Sequence, residues 1–510
     1  IGASSVGTMI EWYDFYIFGS LATIISTKFF PSDNPTAAFL STLATFAAGF
    51  VVRPFGALFF GRLGDLIGRK YTFMVTLVLM GGATFLIGCI PSYETIGFLA
   101  PTLVLILRLL QGLALGGEYG GAATYVAEHA GPGQRGYWTS WIQTTATIGL
   151  FVSLMVIMAT KSAMSKEAFE DWGWRVPFWV SILMILVSYL IRKNMSESPE
   201  FAKVKAEGKT SKNPLKESFG NKLNFKFVLL ALFGIVMGQG VVWYTGQFYA
   251  MSFIEKVMGL SDQVGDIMMY AILMATPFFV FFGWISDKIG RKWLMLAGIL
   301  IAVIAYRPIY RAMYETTSIK NKTEIEAKTV VLAETKENKA KALDSVYTTT
   351  KEFTDGATWK EVKTVTLENG VAKIGDDGKP KVEVKKTMVV NESDKWTLVW
   401  LVFIQIFLVT VVYGPTAAFL VELFPAKIRY TSMSLPYHIG NGIFGGLLPA
   451  VATSLVAAAT KANDAAAEAG QAVAVAEPYL QGLWYPIIIG AICFIIGAIY
   501  VDGKSTSHKH

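Results

Sequence analysis

Ten residues recur in related form in two distant parts of the chain. Gly61-Arg62-Leu63-Gly64-Asp65-Leu66-Ile67-Gly68-Arg69-Lys70 returns as Gly283-Trp284-Ile285-Ser286-Asp287-Lys288-Ile289-Gly290-Arg291-Lys292. Each copy joins two long apolar segments. A second pair follows in the same order: Glu128 lies seven residues before Arg135, and Glu422 seven before Arg429. A mostly apolar chain of two related halves is the sequence mark of a secondary transporter. The spacing also locates an insertion. The first motif recurs after 222 residues and the second after 294, so the second half holds 72 more residues between its motifs. Its long hydrophilic stretch, Glu315 to Lys395, is mostly this insert.

Of 510 residues, 53% are hydrophobic and 16% charged. Soluble globular chains are nearer a quarter charged. Twelve apolar spans, from 5–29 to 482–502, each have the length needed to cross the hydrocarbon core. They predict an all-α membrane protein with twelve transmembrane helices in two pseudo-symmetric six-helix halves. A small extracytoplasmic insert falls between helices 9 and 10. On this reading 1–193 is the first bundle and 194–225 a cytoplasmic linker. Segments 226–314 and 396–502 make the second bundle around the insert 315–395, and 503–510 is a tail.

The net charge of +7 is no nucleic-acid footprint, because the basic excess sits in loops. Segment 192–226 alone carries nine Lys and Arg, beginning with Arg192 and Lys193. The positive-inside rule puts these loops, the motif loops and both termini in the cytoplasm, and the insert on the other side. The chain opens on Ile1, from which an initiator and a short polar tail are expected to be missing. Nothing resembles a cleaved signal peptide. Cys89 and Cys493 lie in apolar segments without ligand spacing, so no disulfide, metal site or cofactor is expected.

Ser196-Glu197-Ser198-Pro199 reads as a helix start within the linker. In the insert, 328–343 is compatible with a helix, 375–380 with a turn, and 381–384 and 387–390 with strands, which together suggest a small α/β cap. The Ala-rich segment 455–479 is expected to prolong a helix beyond the membrane.

These residues are recognisable as a set. The paired Gly-x-x-x-Asp-x-x-Gly-Arg-Lys loops resemble the signature of the major facilitator superfamily. Glu11-Trp12-Tyr13-Asp14-Phe15, Arg53-Pro54-Phe55-Gly56, Arg108-Leu109-Leu110-Gln111-Gly112, Gly116-Gly117-Glu118-Tyr119-Gly120-Gly121-Ala122 and Trp172-Gly173-Trp174-Arg175-Val176-Pro177-Phe178 resemble the metabolite:proton symporters. The resemblance covers nearly the whole chain except the insert. It implies uptake of organic acids such as citrate, or of zwitterions such as proline and betaine, by a multi-pass protein of the bacterial inner membrane. It also implies that the motif charges clamp the cytoplasmic side in the outward-open state. The expected partners are a small-molecule substrate, protons and the lipid bilayer, with no nucleic acid, and the protein is expected to act as a monomer.

Asp65 and Arg69 are four apart, as are Asp287 and Arg291, while Glu128 and Glu422 end spans 4 and 10 on the same face. With Arg135 and Arg429 they can form a charge network that two states make or break differently. Charges within spans are costly and suggest function. Glu11 and Asp14 share a helix face in span 1, and Glu118 lies at comparable depth in span 4. Arg53 lies at similar depth in span 2, and Arg108 nearer the midplane in span 4. Desolvation favours the protonated form of such a carboxylate and a nearby arginine its ionised form, so it can take a proton in one state and release it in another. His438 is a further candidate proton carrier, or else a hydrogen-bonded structural histidine. Gln239, Trp243 and Gln247 recur every four residues in span 7, with Tyr244 beside them. With Arg53, Arg108 and Gln111 they are the candidate substrate-binding groups.

The leading expectation is proton symport of a small polar metabolite, an organic acid first, by alternating access. Uptake of a zwitterionic osmolyte or sugar is the alternative, as is a transporter-derived sensor whose insert binds a ligand. A membrane enzyme built on His438 would need a nucleophile–base pair that the sequence lacks.

Overall fold

The computed structural model describes residues 2–30, 41, 45, 48–131, 133–337, 343–368, 371–374 and 382–501. The predicted turn at 375–380 and the tail lie outside these residues. Helices α1 Gly2–Ser20, α2 Arg53–Ile67, α3 Arg69–Ile87, α4 Leu99–His129, α5 Arg135–Ser162 and α6 Val176–Lys193 come first. A linker helix, Pro199–Ala206, follows, started by Pro199 and by the Ser198 hydroxyl accepting from Phe201 N at 3.0 Å. Then come α7 Lys222–Val257, α8 Val264–Ile289, α9 Arg291–Thr316, α10 Glu392–Leu423, α11 Arg429–Glu468 and α12 Pro478–Tyr500. Among the described residues, the ten from α3 onward are long and apolar enough to cross a bilayer. The Ala-rich segment extends α11 as far as Glu468, after which the chain turns.

Both motif loops are tight reversals. Gly68 and Gly290 take φ of +129° and +91°, which side-chain-bearing residues rarely adopt, and so α3 folds back on α2 and α9 follows α8. These reversals mark one end of the bundle, the motif face. Helix α9 leaves it at Arg291 and runs 26 residues, about 39 Å, to the insert. The insert therefore lies at the opposite end.

The first six helices meet the later ones along two principal pairings, α2 on α11 and α5 on α8. Thr147 and Thr276 hydroxyls join across the second at 2.8 Å. Helix α7 contains π-helical turns at Leu232–Val236, Thr245–Tyr249 and Phe253–Val257, and α11 another at Gly440–Gly445. Such turns rotate later side chains out of the four-residue period and recur at functional sites.

The insert is an antiparallel sheet. Strands β1 Val330–Glu337, β2 Leu343–Glu352, β3 Thr358–Glu368 and β5 Val382–Val389 pair in the order β1-β2-β3-β5, with the short β4 Val371–Ala372 on the end of β3. The helix expected over 328–343 is replaced by β1 and the start of β2. Its Ala, Glu and Lys residues favour a helix locally, but cross-strand pairing of Val330 to Glu337 with Leu343 to Thr350 overrides that weak preference. The two strands expected at 381–384 and 387–390 are a single one, β5. The sheet is pinned to the connection between α7 and α8: Met388 N donates to Gly259 O at 2.8 Å, and the Gln263 amide exchanges two hydrogen bonds with the Val390 backbone, at 2.8 and 3.0 Å.

Candidate functional site

At the motif face the two repeated motifs do the same thing to each other's half. Asp65 accepts hydrogen bonds from the backbone N–H groups of Tyr430 and Thr431, at 3.4 and 2.8 Å. These begin α11. Asp287 accepts from Gly136 N and Tyr137 N, both at 2.8 Å, at the start of α5. Each aspartate thus caps a helix of the other half, where the helix dipole favours negative charge. Gly61 and Gly283 make room: a Cβ on Gly61 would sit 2.9 Å from Thr431 Cα, and one on Gly283 2.6 Å from Gly136 O.

Arginines complete the network. Arg69 pairs with Asp65 at 2.9 Å and Glu128 at 3.5 Å, and donates to Ala426 O at 2.6 Å. Glu128 also pairs across the seam with Arg429, at 2.9 Å. Arg291 holds Asp287 at 3.0 Å and Glu422 in a fork, at 2.6 and 2.8 Å. Arg135, expected in the charge network, pairs with Glu200 of the linker helix, and Glu200 also holds Arg429. Glu197 accepts from Arg69 N and Lys70 N, capping α3, and Ser198 donates to Glu128. The linker residues Glu197, Ser198 and Glu200 were not among the expected gate residues; the helix start at Ser198 was their one sequence signal. The first cluster is fully buried, with Asp65, Arg69 and Glu128 side chains at 0% exposure, while Glu422 in the second retains 24%.

Toward the middle of the bundle, a hydrogen-bonded chain runs through the first half. Thr84 Oγ1 donates to Asp14 Oδ2 at 2.6 Å. Gln111 Nε2 donates to Thr84 Oγ1, and Arg108 Nη1 donates to Gln111 Oε1 at 2.6 Å. Asp14 is buried, its Oδ1 has no hydrogen-bond partner among the described residues, and Arg108 lies within its electrostatic reach. The Glu11 side chain lies outside the described residues.

Glu118 is placed differently from Asp14. Its carboxylate is locked by Arg192 at 2.7 Å and by the Thr76 hydroxyl at 2.8 Å. Arg192, counted in the sequence as a basic loop residue, is in the last turn of α6 and fully buried. It also donates to Phe73 O at 2.6 Å and stacks on the Phe73 ring.

Arg53 faces the second half. Its guanidinium lies 4.1 Å over Phe50, its Nε is buried without a hydrogen bond, and it has no ion-pair partner among the described residues. Tyr244 and His438 are within its electrostatic reach. His438 is buried against the Gly116 backbone, with Nε2 unpartnered. A cavity of about 350 Å³ opens between Phe50, Pro54, Tyr244 and Phe248. A second, of about 600 Å³, lies between α1, α5, α7 and α8 and is lined by Tyr16, Gln247 and Asp266.

The expected shared face of span 7 is divided. Gln239 is spent within the second half on Asn441, in a reciprocal amide pair at 3.0 and 3.2 Å. Trp243 turns to Trp12 of the first half, ring centroids 5.4 Å apart. Tyr119 stacks on Tyr437 at 3.7 Å across the same seam, and Tyr437 joins Tyr413 through hydroxyls 2.5 Å apart. Tyr119 lies within the span 4 motif, which does not single it out, and nothing in the sequence selects Tyr413 or Tyr437.

A helical bundle with mutual caps closing one face, and cavities between its halves toward the other, has the architecture of a membrane transporter. Comparison with known proteins agrees. A family model described as "Sugar (and other) transporter" matches residues 2–222 and 192–335. The chain is 34% identical over 315 residues to the proline/betaine transporter of Escherichia coli (strain K12). That match covers 60% of this chain and 63% of the relative, just under two thirds of the latter's length. It is 35% identical over 326 residues to the alpha-ketoglutarate permease of the same organism, covering 62% and 72%. It is 28% identical over 454 residues to the citrate-proton symporter of Klebsiella pneumoniae, covering 88% and 83%. The proton:xylose symporter XylE shares the fold, with TM-score 0.63 at 14% identity over 99% of this chain and 96% of that one. The chain belongs to the sugar (and other) transporter family of the major facilitator superfamily, a family of transporters and not of enzymes.

Proposed function

We propose that the protein imports a small organic acid by proton symport with alternating access. Arg53 carries this reading: a guanidinium without a carboxylate partner among the described residues, at the seam, beside a cavity and the Asp14–Thr84–Gln111–Arg108 chain. A substrate carboxylate is the natural counter-ion for it, in the bidentate geometry that arginine favours. Relatives named for citrate and alpha-ketoglutarate support that substrate class. Gln111, Tyr244, Trp243 and Gln247 would line the path, and Asp14 would carry the proton. Glu11 and His438 stay candidates as second carriers, whereas the Arg192 pair argues for a structural Glu118. The test is uptake into proteoliposomes. An imposed pH gradient should drive citrate or alpha-ketoglutarate inward, and a protonophore should collapse it. A sodium requirement with no effect of the protonophore would sink proton coupling.

Uptake of a zwitterion is favoured by a different observation. Trp12, Trp243, Tyr119 and Tyr437 gather ring faces at the seam, and ring faces attract a trimethylammonium group. Betaine competing with uptake more strongly than citrate would establish it.

In this reading all twelve helices span, the motif face is cytoplasmic, and the gate network holds it closed. The insert then faces outward. Cysteine at position 384, exposed on β5, should react with an impermeant maleimide added to intact cells. Reaction only after permeabilisation would invert the topology.

The aspartate caps give a second expected result. Asp65→Asn keeps the shape but removes the charge that faces the α11 dipole and Arg69. The closed state should weaken by about 1 kcal/mol, roughly fivefold in population. Ser432, buried behind the cap, would serve as a cysteine reporter whose modification rate from the motif side rises accordingly. An unchanged rate would remove Asp65 from the gate.

A further inference from the structure

The insert creates a cavity that the transport path does not use. Strand β5 and Trp359 of β3 lie over the ends of α7 and α9, and a partly open cavity of about 330 Å³ lies between them. That is within the range of small-ligand sites. Lysines reach it from three directions: Lys256 from the end of α7, Lys320 from the turn after α9, and Lys386 from β5. No aspartate or glutamate among the described residues lines it. Among the described residues Lys256 and Lys320 have no carboxylate at ion-pair distance, and Lys386 has only Glu361, at 3.7 Å.

Several other lysines around the insert are paired. Lys322 is held by Asp355 and Asp394, Lys351 by Glu324, and Lys395 by Asp266. Those lysines fasten the sheet to its surroundings, whereas two of the three that face the cavity have no ion pair among the described residues. Ammonium groups converging on one partly enclosed space repel one another unless an anion lies between them. The walls cannot simply close. Met388 N is bonded to Gly259 O, and a Cβ on Gly259 would already stand 3.0 Å from Lys386 O. Tyr314 and Trp359 supply apolar surface beside the charges.

We propose that this cavity binds a small anionic group with two or more charged oxygens, a polycarboxylate or a phosphate. The same chemistry is offered by a free solute and by a phospholipid headgroup, because the cavity lies at the ends of membrane helices. The experiment uses the full chain, delipidated in detergent, carrying Arg53→Gln to weaken carboxylate binding at the seam in parent and variant alike. Citrate and inorganic phosphate are titrated by calorimetry, and retention of phosphatidylglycerol is followed by native mass spectrometry. Against this parent, K256Q/K320Q/K386Q should lose affinity at least tenfold for one of the three probes. Loss for citrate or phosphate identifies a solute site, and loss for phosphatidylglycerol alone a headgroup site. Equal binding of all three probes by parent and variant overturns the proposal. Should the triple variant not fold, K256Q/K320Q is read in its place, both side chains being exposed and outside the packing. Because parent and variant carry the same seam, only their difference reports on this cavity, and failure here leaves the transport reading standing.

Discussion

Glu118→Gln is expected to cost the fold about 3–5 kcal/mol, the usual result of leaving one member of a buried ion pair uncompensated. Arg192 has no exposed surface, and Glu118 is its one ion-pair partner among the described residues. Its other contacts, the Phe73 carbonyl and ring, cannot supply a counter-charge. Glutamine preserves a hydrogen bond but not the charge, so a guanidinium would remain in a low-dielectric interior between α3, α4 and α6. The measurement is a thermal melt in detergent with a size-exclusion profile. Replacing both partners, Glu118→Leu with Arg192→Met, should recover most of the loss, since an apolar pair needs no compensation. A wild-type melt for Glu118→Gln, together with lost uphill uptake, would overturn the structural assignment and make Glu118 a proton carrier.

How much of this was legible in the sequence depends on how far apart the partners lie. Asp65–Arg69 and Asp287–Arg291 were legible because four residues on a helix bring side chains together whatever the fold. That each aspartate caps a helix of the other half was not, because Asp65 and Thr431 meet only through the packing of α2 on α11. Glu128 and Arg135 were related by position along the chain. In space Glu128 belongs to Arg69 and Arg429, while Arg135 belongs to Glu200. Charge sign alone put Arg192 in a loop; which side of the last α6 turn it occupies decides otherwise.

The middle of the bundle shows the same limit on a shorter scale. A four-residue period placed Gln239, Trp243 and Gln247 on one face, which holds for a regular α-helix. The π-helical turn at Thr245–Tyr249 breaks the period between Trp243 and Gln247. Asn441, at the facing π-turn of α11, takes Gln239 for itself. In the insert, composition favoured a helix where strand pairing decided. The fold class rested on long apolar runs and a repeat, which local pattern determines. The site rested on contacts between helices, which it does not.

Asp14→Asn is expected to abolish concentrative uptake while leaving exchange. In the ionised state Thr84 donates to Asp14 Oδ2. The same hydroxyl lies 3.1 Å from Met80 O. Once Asp14 takes a proton, it can donate to Thr84 Oγ1, and Thr84 can turn its own hydrogen to Met80 O. Neither state leaves Thr84 unsatisfied, so the proton can come and go without breaking the interior. The change reaches Arg108 through Gln111, which bonds Thr84 on one side and Arg108 on the other. A substrate carboxylate that engages Arg108 would neutralise part of its field at Asp14 and so favour proton uptake there. Linkage then requires the proton to favour substrate in return. Asparagine occupies the same space but holds no proton to exchange. With one-to-one coupling, a tenfold proton gradient sustains about a tenfold accumulation in the wild type, and about none in the variant. Counterflow exchange, which moves no net proton, should persist. Full uphill uptake by Asp14→Asn would move the carrier to Glu11 or His438, and loss of exchange along with uptake would assign Asp14 to substrate binding instead.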